Sequence, residues 1–245
     1  MDIINNSLDI QTLHQEFIDT GVVSVKNLLS DDVAEAVYEA LVKNTSWELH
    51  VKRPKSAGKV EIIRPEDALK LTEKEKLKLV PKVLGLKDND LSFIYYRYTV
   101  PTMKGTASEK YPILTQVIRY FNSKEYLQLM GDITGDYSGQ EVSNWASRYD
   151  PNHHLSIHMD ENPTQGRIAA HVLGLTKNWK KEWGGQFSFC NAKGKPVSYH
   201  LPKFNQLTLF KVPRLHLVNQ VKPYAQESRY SLFGWYKVKK EYFDM

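Results

Sequence analysis

The sequence predicts a mainly β protein with helices toward its N-terminus, an α+β chain whose β part is a sandwich or jelly roll. From Glu141 onward, eight short strand-like segments follow one another: 141–149, 154–159, 167–175, 185–190, 196–201, 205–211, 215–221 and 229–238. Gly, Pro and Asn turns separate them, and no helical period intervenes, which argues against a βαβ fold. Before residue 140 the chain instead alternates helix-period stretches with isolated strands. No repeat, low-complexity tract or linker composition divides the two parts. Residues 1–245 therefore read as one domain, with 1–140 as mostly helical support plus early strands and 141–238 as the β-core.

Taken in order, Leu13, Phe17 and Ile18 give helix spacing over 10–20, and Gly21 is a good stop. Residues 21–25 form a short strand. Ser30 is a plausible N-cap, with Asp31 and Asp32 placed where the helix dipole favours negative charge. The helix it opens runs through Val33, Val37 and Leu41 to about Lys43. From Trp47 to Ile63 the pattern is strand, turn, strand, the turn marked by Pro54 and Gly58. Residues 65–84 are lysine- and leucine-rich and helical, interrupted near Pro81. The aromatic and β-branched run Leu91 to Val100 is a strong strand. The loop-like stretch 101–108 is a candidate substrate lid, and helices are expected over 112–121 and 124–131.

Composition is that of a soluble globular protein, 41% apolar and 25% charged, with a net charge of +5. The lysines are scattered, which favours a solvated surface over a nucleic-acid groove. Cys190 is the only cysteine, so an intrachain disulfide and any Cys-based zinc cluster are excluded. No apolar run approaches a membrane span and no leader pattern opens the chain, so a soluble, intracellular, cytoplasmic protein is expected.

The chemistry is concentrated in His158-Met159-Asp160. Residues i and i+2 of a strand share a face, so an imidazole and a carboxylate would project side by side. His216, in the strand-like run 215–218, offers the distant third ligand of a 2-His-1-carboxylate site for Fe(II). Three protein ligands leave three positions free, two for a chelating keto acid and one for oxygen. Arg229 lies thirteen residues after His216 and presents a planar fork matched to a carboxylate. Its alternative is an ion pair with a local Asp or Glu. Ser231, two residues on, shares that face. Tyr149 either bonds the co-substrate or packs in the core, and Trp235 either walls the pocket or packs. His153 and His154 are weak rivals as ligands, because neither forms an H-x-D pair. His171 reads better as a satisfied core histidine than as a pocket residue. His14, His50 and His200 show no constellation.

These pieces together resemble the prolyl 4-hydroxylase-like branch of the 2-oxoglutarate and Fe(II)-dependent oxygenases. The matching residues are Tyr149, H-M-D at 158–160, Gly166-Arg167, T-K-N-W at 176–179 and W-G-G at 183–185. F-N-Q-L-T-L-F at 204–210, H-L-V-N-Q-V at 216–221 and R-Y-S-L-F-G-W-Y at 229–236 follow in the family's order, and 13–25 resembles that branch's opening helix and strand. The resemblance implies a double-stranded β-helix (jelly-roll) core, iron on His158, Asp160 and His216, and 2-oxoglutarate held by Arg229. It also implies Arg167 near the substrate entrance, O2 as oxidant and ascorbate as reductant. The family's co-substrate tyrosine falls at Gly174 here, so either Tyr149 or His171 replaces it or the pocket is wider.

The expected reaction converts 2-oxoglutarate to succinate and carbon dioxide and hydroxylates an unactivated carbon. Asp160 leaves no vacant ligand position for a halide. The resemblance implies a prolyl residue in a peptide or protein as substrate, with a free amino acid or other small metabolite as the alternative. Nucleic-acid demethylation is disfavoured because no second arginine follows Arg229 closely. A non-catalytic metal-binding jelly roll is the remaining rival.

Overall fold

A computed structural model of the chain describes residues 2–83, 91–100, 111–162 and 164–238. Six α-helices precede the β-core: α1 (Ile10–Thr20), α2 (Asp31–Glu39), α3 (Pro65–Ala68), α4 (Glu73–Leu79), α5 (Pro112–Phe121) and α6 (Lys124–Thr134). Among them lie β1 (Val22–Lys26), β2 (Glu48–Lys52), β3 (Glu61–Ile63) and β4 (Phe93–Thr99). Then come β5 (Glu141–Tyr149), β6 (His154–His158), β7 (Arg167–Leu175), β8 (Phe187–Cys190), β9 (Pro196–His200), β10 (Phe204–Lys211), β11 (His216–Val218) and β12 (Arg229–Lys237).

Local chemistry accounts for the departures from expectation. The second helix stops at Glu39 and continues as a π-helical turn, Ala40–Asn44. The stretch expected as one interrupted helix over 65–84 is two short helices. Thr72 and Glu75 form a reciprocal capping box that starts α4 afresh, and Val80 is extended because Pro81 follows it. The candidate lid at 101–108 lies outside the described residues.

All twelve strands belong to one antiparallel sheet, in the order β1-β10-β7-β12-β5-β4-β6-β11-β8-β9, with β2 joining β3 to β4. The bend is at β4. Its Tyr96–Thr99 half pairs with β5, while Phe93 and Ile94 pair with β6. The sheet thus curls over, and β6, β11, β8 and β9 face the larger half across a shared interior. Rings from the two halves meet there, Phe187 and Phe210 at 5.4 Å between centroids. This is the jelly-roll core that the strand pattern predicts.

Two hydrophobic clusters follow from the alternation of side chains. The outer face of β1, β10, β7, β12 and β5 buries Val23, Leu207, Leu209, Leu173 and Leu232 against α2, α5 and α6, through Val33, Val37, Ile118, Phe121 and Met130. The inner face carries a smaller aromatic cluster with Tyr95, Tyr149, Phe187, Phe189 and Phe210. The helices therefore cover the convex side and leave the concave side for the site.

His171 is on the covered side. Its Nε2 is hydrogen-bonded with the Tyr126 hydroxyl at 2.6 Å, and Phe121 packs edge-on to its ring at 5.0 Å. It is a core histidine and does not face the pocket. Burial pushes its pKa down to about 3. The unfolded chain, with an ordinary pKa of about 6.5, binds this proton more readily than the fold does. His171 therefore favours the fold fully above about pH 6.5, and that contribution is lost as pH falls toward 3. Replacing it in His171→Gln is expected to flatten the dependence of unfolding free energy on pH between pH 5 and 6. The change should approach about 1.4 kcal/mol per pH unit, measured by urea unfolding at each pH.

Candidate metal and co-substrate site

The register of two short strands assembles the centre. β11 runs antiparallel to β6 with His216 directly opposite His158, and the two rings lie 4.2 Å apart. β6 ends at His158, so Asp160 stands in the following loop and not on the strand face expected from the sequence. Its backbone carbonyl accepts from Arg167 Nη1 at 2.8 Å, which turns the carboxylate back toward the imidazoles. Asp160 Oδ1 is 3.5 Å from His158 Nε2, and Oδ2 is 3.4 Å from His216 Nε2. One donor atom from each residue lies within 4.8 Å of the others, the single such His/Cys/Asp/Glu group among the described residues.

The hydrogen bonds set the tautomers. His158 Nδ1 donates to the Ser156 carbonyl at 2.9 Å, and His216 Nδ1 donates to the Arg214 carbonyl at 2.8 Å. Both Nε2 lone pairs are thus turned inward, as metal ligation by imidazole requires. Burial, reinforced by neighbouring His158, pushes the His216 pKa down to about 3. Burial would raise Asp160, but the close approach of the His158 and His216 imidazoles and of Trp235 outweighs it and brings the carboxyl down to about 2. Near neutral pH the set is a carboxylate facing buried nitrogen donors. That is a donor set suited to a divalent first-row metal.

His153 and His154 belong elsewhere. His153 is buried, its ring 5.3 Å from that of Tyr96. His154 points its Nε2 at Ser92 Oγ, 3.5 Å away.

The cavity beside the centre has a volume of about 170 Å³ and is lined by both halves of the sheet. This is below the usual range for drug-sized ligands and suits a small organic acid. Arg229 opens β12 opposite Tyr149 of β5, with its guanidinium 5.1 Å over the tyrosine ring. It is only 6% exposed. Among the described residues no carboxylate pairs with it, which removes the alternative of a local ion pair. Ser231 Oγ shares a 2.7 Å hydrogen bond with Ser147 Oγ, and both hydroxyls line the same end of the cavity. Tyr149 is buried there too, stacked on Tyr95 at 5.0 Å between centroids. A buried cation without a counter-ion is costly, and an anionic ligand in this cavity would relieve it.

Gly174 has a steric explanation. A Cβ there would stand 2.5 Å from the Lys203 carbonyl oxygen, because β10 is irregular between Phe204 and Gln206 and brings its backbone against β7. A tyrosine at this position has no room. Main chain entering β10 occupies the space that a side chain at this position would need. Arg167 is likewise engaged. It is bonded to the Asp160 carbonyl and to Gln165 Oε1, and its guanidinium lies 3.5 Å over the Trp235 ring. Trp235 itself lines the cavity.

Several wall residues escaped the sequence reading: Phe93, Tyr95, Val172, Phe187, Phe210 and Phe233. Each occupies an alternate position on a strand next to one already singled out. Alternation marked them, but nothing in the sequence says which face of a two-sided strand is concave.

Comparison with known proteins agrees with this architecture. Residues 144–237 match the family model of the 2OG-Fe(II) oxygenase superfamily. Among solved structures, a Pseudomonas putida prolyl-4-hydroxylase superposes with a TM-score of 0.57 at 14% identity, covering 95% of this chain and 100% of that one. A 2OG-Fe(II) oxygenase family oxidoreductase from Burkholderia pseudomallei gives 0.56 at 13% identity, covering 95% and 92%. A Trichoplax adhaerens prolyl hydroxylase in complex with a hypoxia inducible factor oxygen degradation domain peptide fragment gives 0.55 at 14%, covering 95% and 94%. No curated protein sequence matches the chain. The resemblance drawn from the motifs is thus borne out, to 2-oxoglutarate/Fe(II) oxygenases of prolyl hydroxylase-like fold.

The close approach at Gly174 is directly testable. Gly174→Ala is expected to lower stability by about 1–3 kcal/mol through overpacking against main chain, read as a reduced urea midpoint with an unchanged slope.

Proposed function

We propose that the chain is an Fe(II)- and 2-oxoglutarate-dependent hydroxylase, and that its substrate is a prolyl residue in a peptide or protein. One observation carries the reading. Three inward-turned donor atoms of His158, Asp160 and His216 share a cavity with the buried guanidinium of Arg229, which has no carboxylate partner among the described residues. The donor set fits Fe(II), and the cation fits the distal carboxylate of 2-oxoglutarate.

Ferrous iron held there supplies the redox chemistry by which oxygen and 2-oxoglutarate yield succinate, carbon dioxide and an oxygen atom for a C–H bond. The protein's own part is positional. His158 and His216 present Nε2 donors oriented by their Nδ1 hydrogen bonds, and Asp160 supplies one negative charge. Arg229 takes the far carboxylate of the co-substrate in its fork, with Ser231, Ser147 and Tyr149 hydroxyls beside it. Phe93, Phe187, Phe210 and Phe233 keep water from the reacting carbon. The prolyl assignment is supported by the prolyl hydroxylases of similar fold, one of them holding a peptide. The small volume beside the centre favours the second reading, hydroxylation of a free amino acid or other small metabolite.

Succinate formed from 2-oxoglutarate with iron, oxygen and ascorbate tests the class. His158→Ala and His216→Ala are expected to lose both succinate formation and bound metal, measured as metal retained after desalting. His153→Ala is expected to keep both, and the reverse pattern would refute the ligand assignment. Arg229→Ala is expected to keep its metal and to raise the KM for 2-oxoglutarate on the order of 30-fold or more, as for loss of a buried charge pair. An unchanged KM would remove Arg229 from the co-substrate pocket.

A further inference from the structure

β4 lays Phe93, Tyr95 and Arg97 on one face, since alternate residues of a strand point the same way. Phe93 and Tyr95 line the cavity. Arg97 follows roughly 7 Å further along the strand, opposite Ser147, which also lines it. The Arg97 guanidinium lies 4.5 Å over the Trp145 ring. Trp145 continues into Phe233 and Trp235, at 5.9 and 5.5 Å between centroids. Arg97 therefore stands at the rim of an aromatic wall whose other end adjoins Asp160.

Stacking on an indole occupies the face of a guanidinium but none of its N–H groups. Among the described residues Arg97 has no ion pair, and its buried Nε has no acceptor. Its cross-strand neighbour Glu48 takes its hydrogen bond instead from His50 Nε2, at 3.2 Å. Arg167, at the other end of the wall, is by contrast engaged on Nε, Nη1 and Nη2. The Tyr95 hydroxyl interacts with the guanidinium but brings no full negative charge, and a half-buried fork whose Nε has no acceptor is costly until a planar anion meets it. A carboxylate has that shape and charge.

We propose that Arg97 is a specificity-determining residue that receives a carboxylate of the substrate, so that the protein acts on acidic substrates. The carbon to be hydroxylated lies at the metal end, the carboxylate lies at Arg97, and Trp145 and Trp235 cover the stretch between. This rests on the oxygenase reading for the position of the reacting carbon. An acidic side chain of a peptide and the carboxylate of a free amino acid present the same oxygens to Arg97.

Three probes separate these sources on immobilised protein loaded with Mn(II) and 2-oxoglutarate. They are a pool of blocked proline-containing peptides each bearing one glutamate, the same pool with glutamine in its place, and a mixture of free amino acids. Retained material is quantified by mass spectrometry. The expected result is retention of a carboxylate-bearing probe on the order of tenfold or more above the glutamine pool. In Arg97→Gln that advantage is expected to vanish, and Arg97→Lys, which keeps the charge but not the fork, should fall between. Retention in the free amino acid arm alone would identify a small acid as the source. Equal retention of acidic and neutral peptides with none of free acids overturns the proposal, as does an advantage that survives in Arg97→Gln or no retention at all. Succinate formation by the unaltered protein is measured in parallel. Its absence sinks the oxygenase reading and this inference with it, whereas its presence without carboxylate preference removes Arg97 alone.

Discussion

The pairing of β11 against β6 is the constraint on which the site depends. Three residues of β11 form its whole length, yet their register sets His216 across from His158. Because side chains alternate along a strand, a slip of one residue would turn His216 out of the interior and bring Leu215 or Leu217 in its place. What holds the register is apolar. Val218, one alternation further, is buried in the inner cluster with Phe187 and Phe189, and β8 pairs with β11 on its other side. Placement of His216 is thus decided by the packing of its hydrophobic neighbours.

The division of labour between the two faces of the larger half-sheet is as consequential. The convex face is packed by helices with aliphatic and aromatic side chains and the hydrogen-bonded pair Tyr126 and His171. The concave face accepts groups that a core would reject: a lone guanidinium, a carboxylate and two serine hydroxyls. Burial on the first face supplies the stability that these polar groups on the second subtract from, the usual trade at a binding site. Arg167 ties the two requirements together, since it braces the Asp160 loop while lying flat on Trp235.

Much of this was legible in the sequence. Eight strands after residue 140 are present as expected, and His158, Asp160 and His216 converge. Among the described residues, Arg229 has no local counter-ion in the cavity that they share. What was hidden is instructive. The end of β6 before Asp160 could not be read, because a strand's last residue is set by its partner's length and not by its own propensity. Gly174 could be noticed as an absence of tyrosine, but its cause is a carbonyl some thirty residues later in sequence, brought close by an irregular β10. Arg97 was passed over within a strand of good propensity, since periodicity tells which residues share a face and not what that face looks upon.

The position of β12 has a consequence for how the protein is made. It is the last strand among the described residues and yet lies in the middle of the sheet, between β5 and β7. A nascent chain that has not yet released residue 237 leaves two inner strands with open hydrogen-bonding edges. It also lacks Arg229. Closure of the sheet and delivery of the buried cation are therefore one event, so an intermediate that holds His158, Asp160 and His216 but lacks Arg229 would also be one with sticky, unprotected borders. Quality control that recognises such borders would remove the incomplete chain without ever sensing its chemistry.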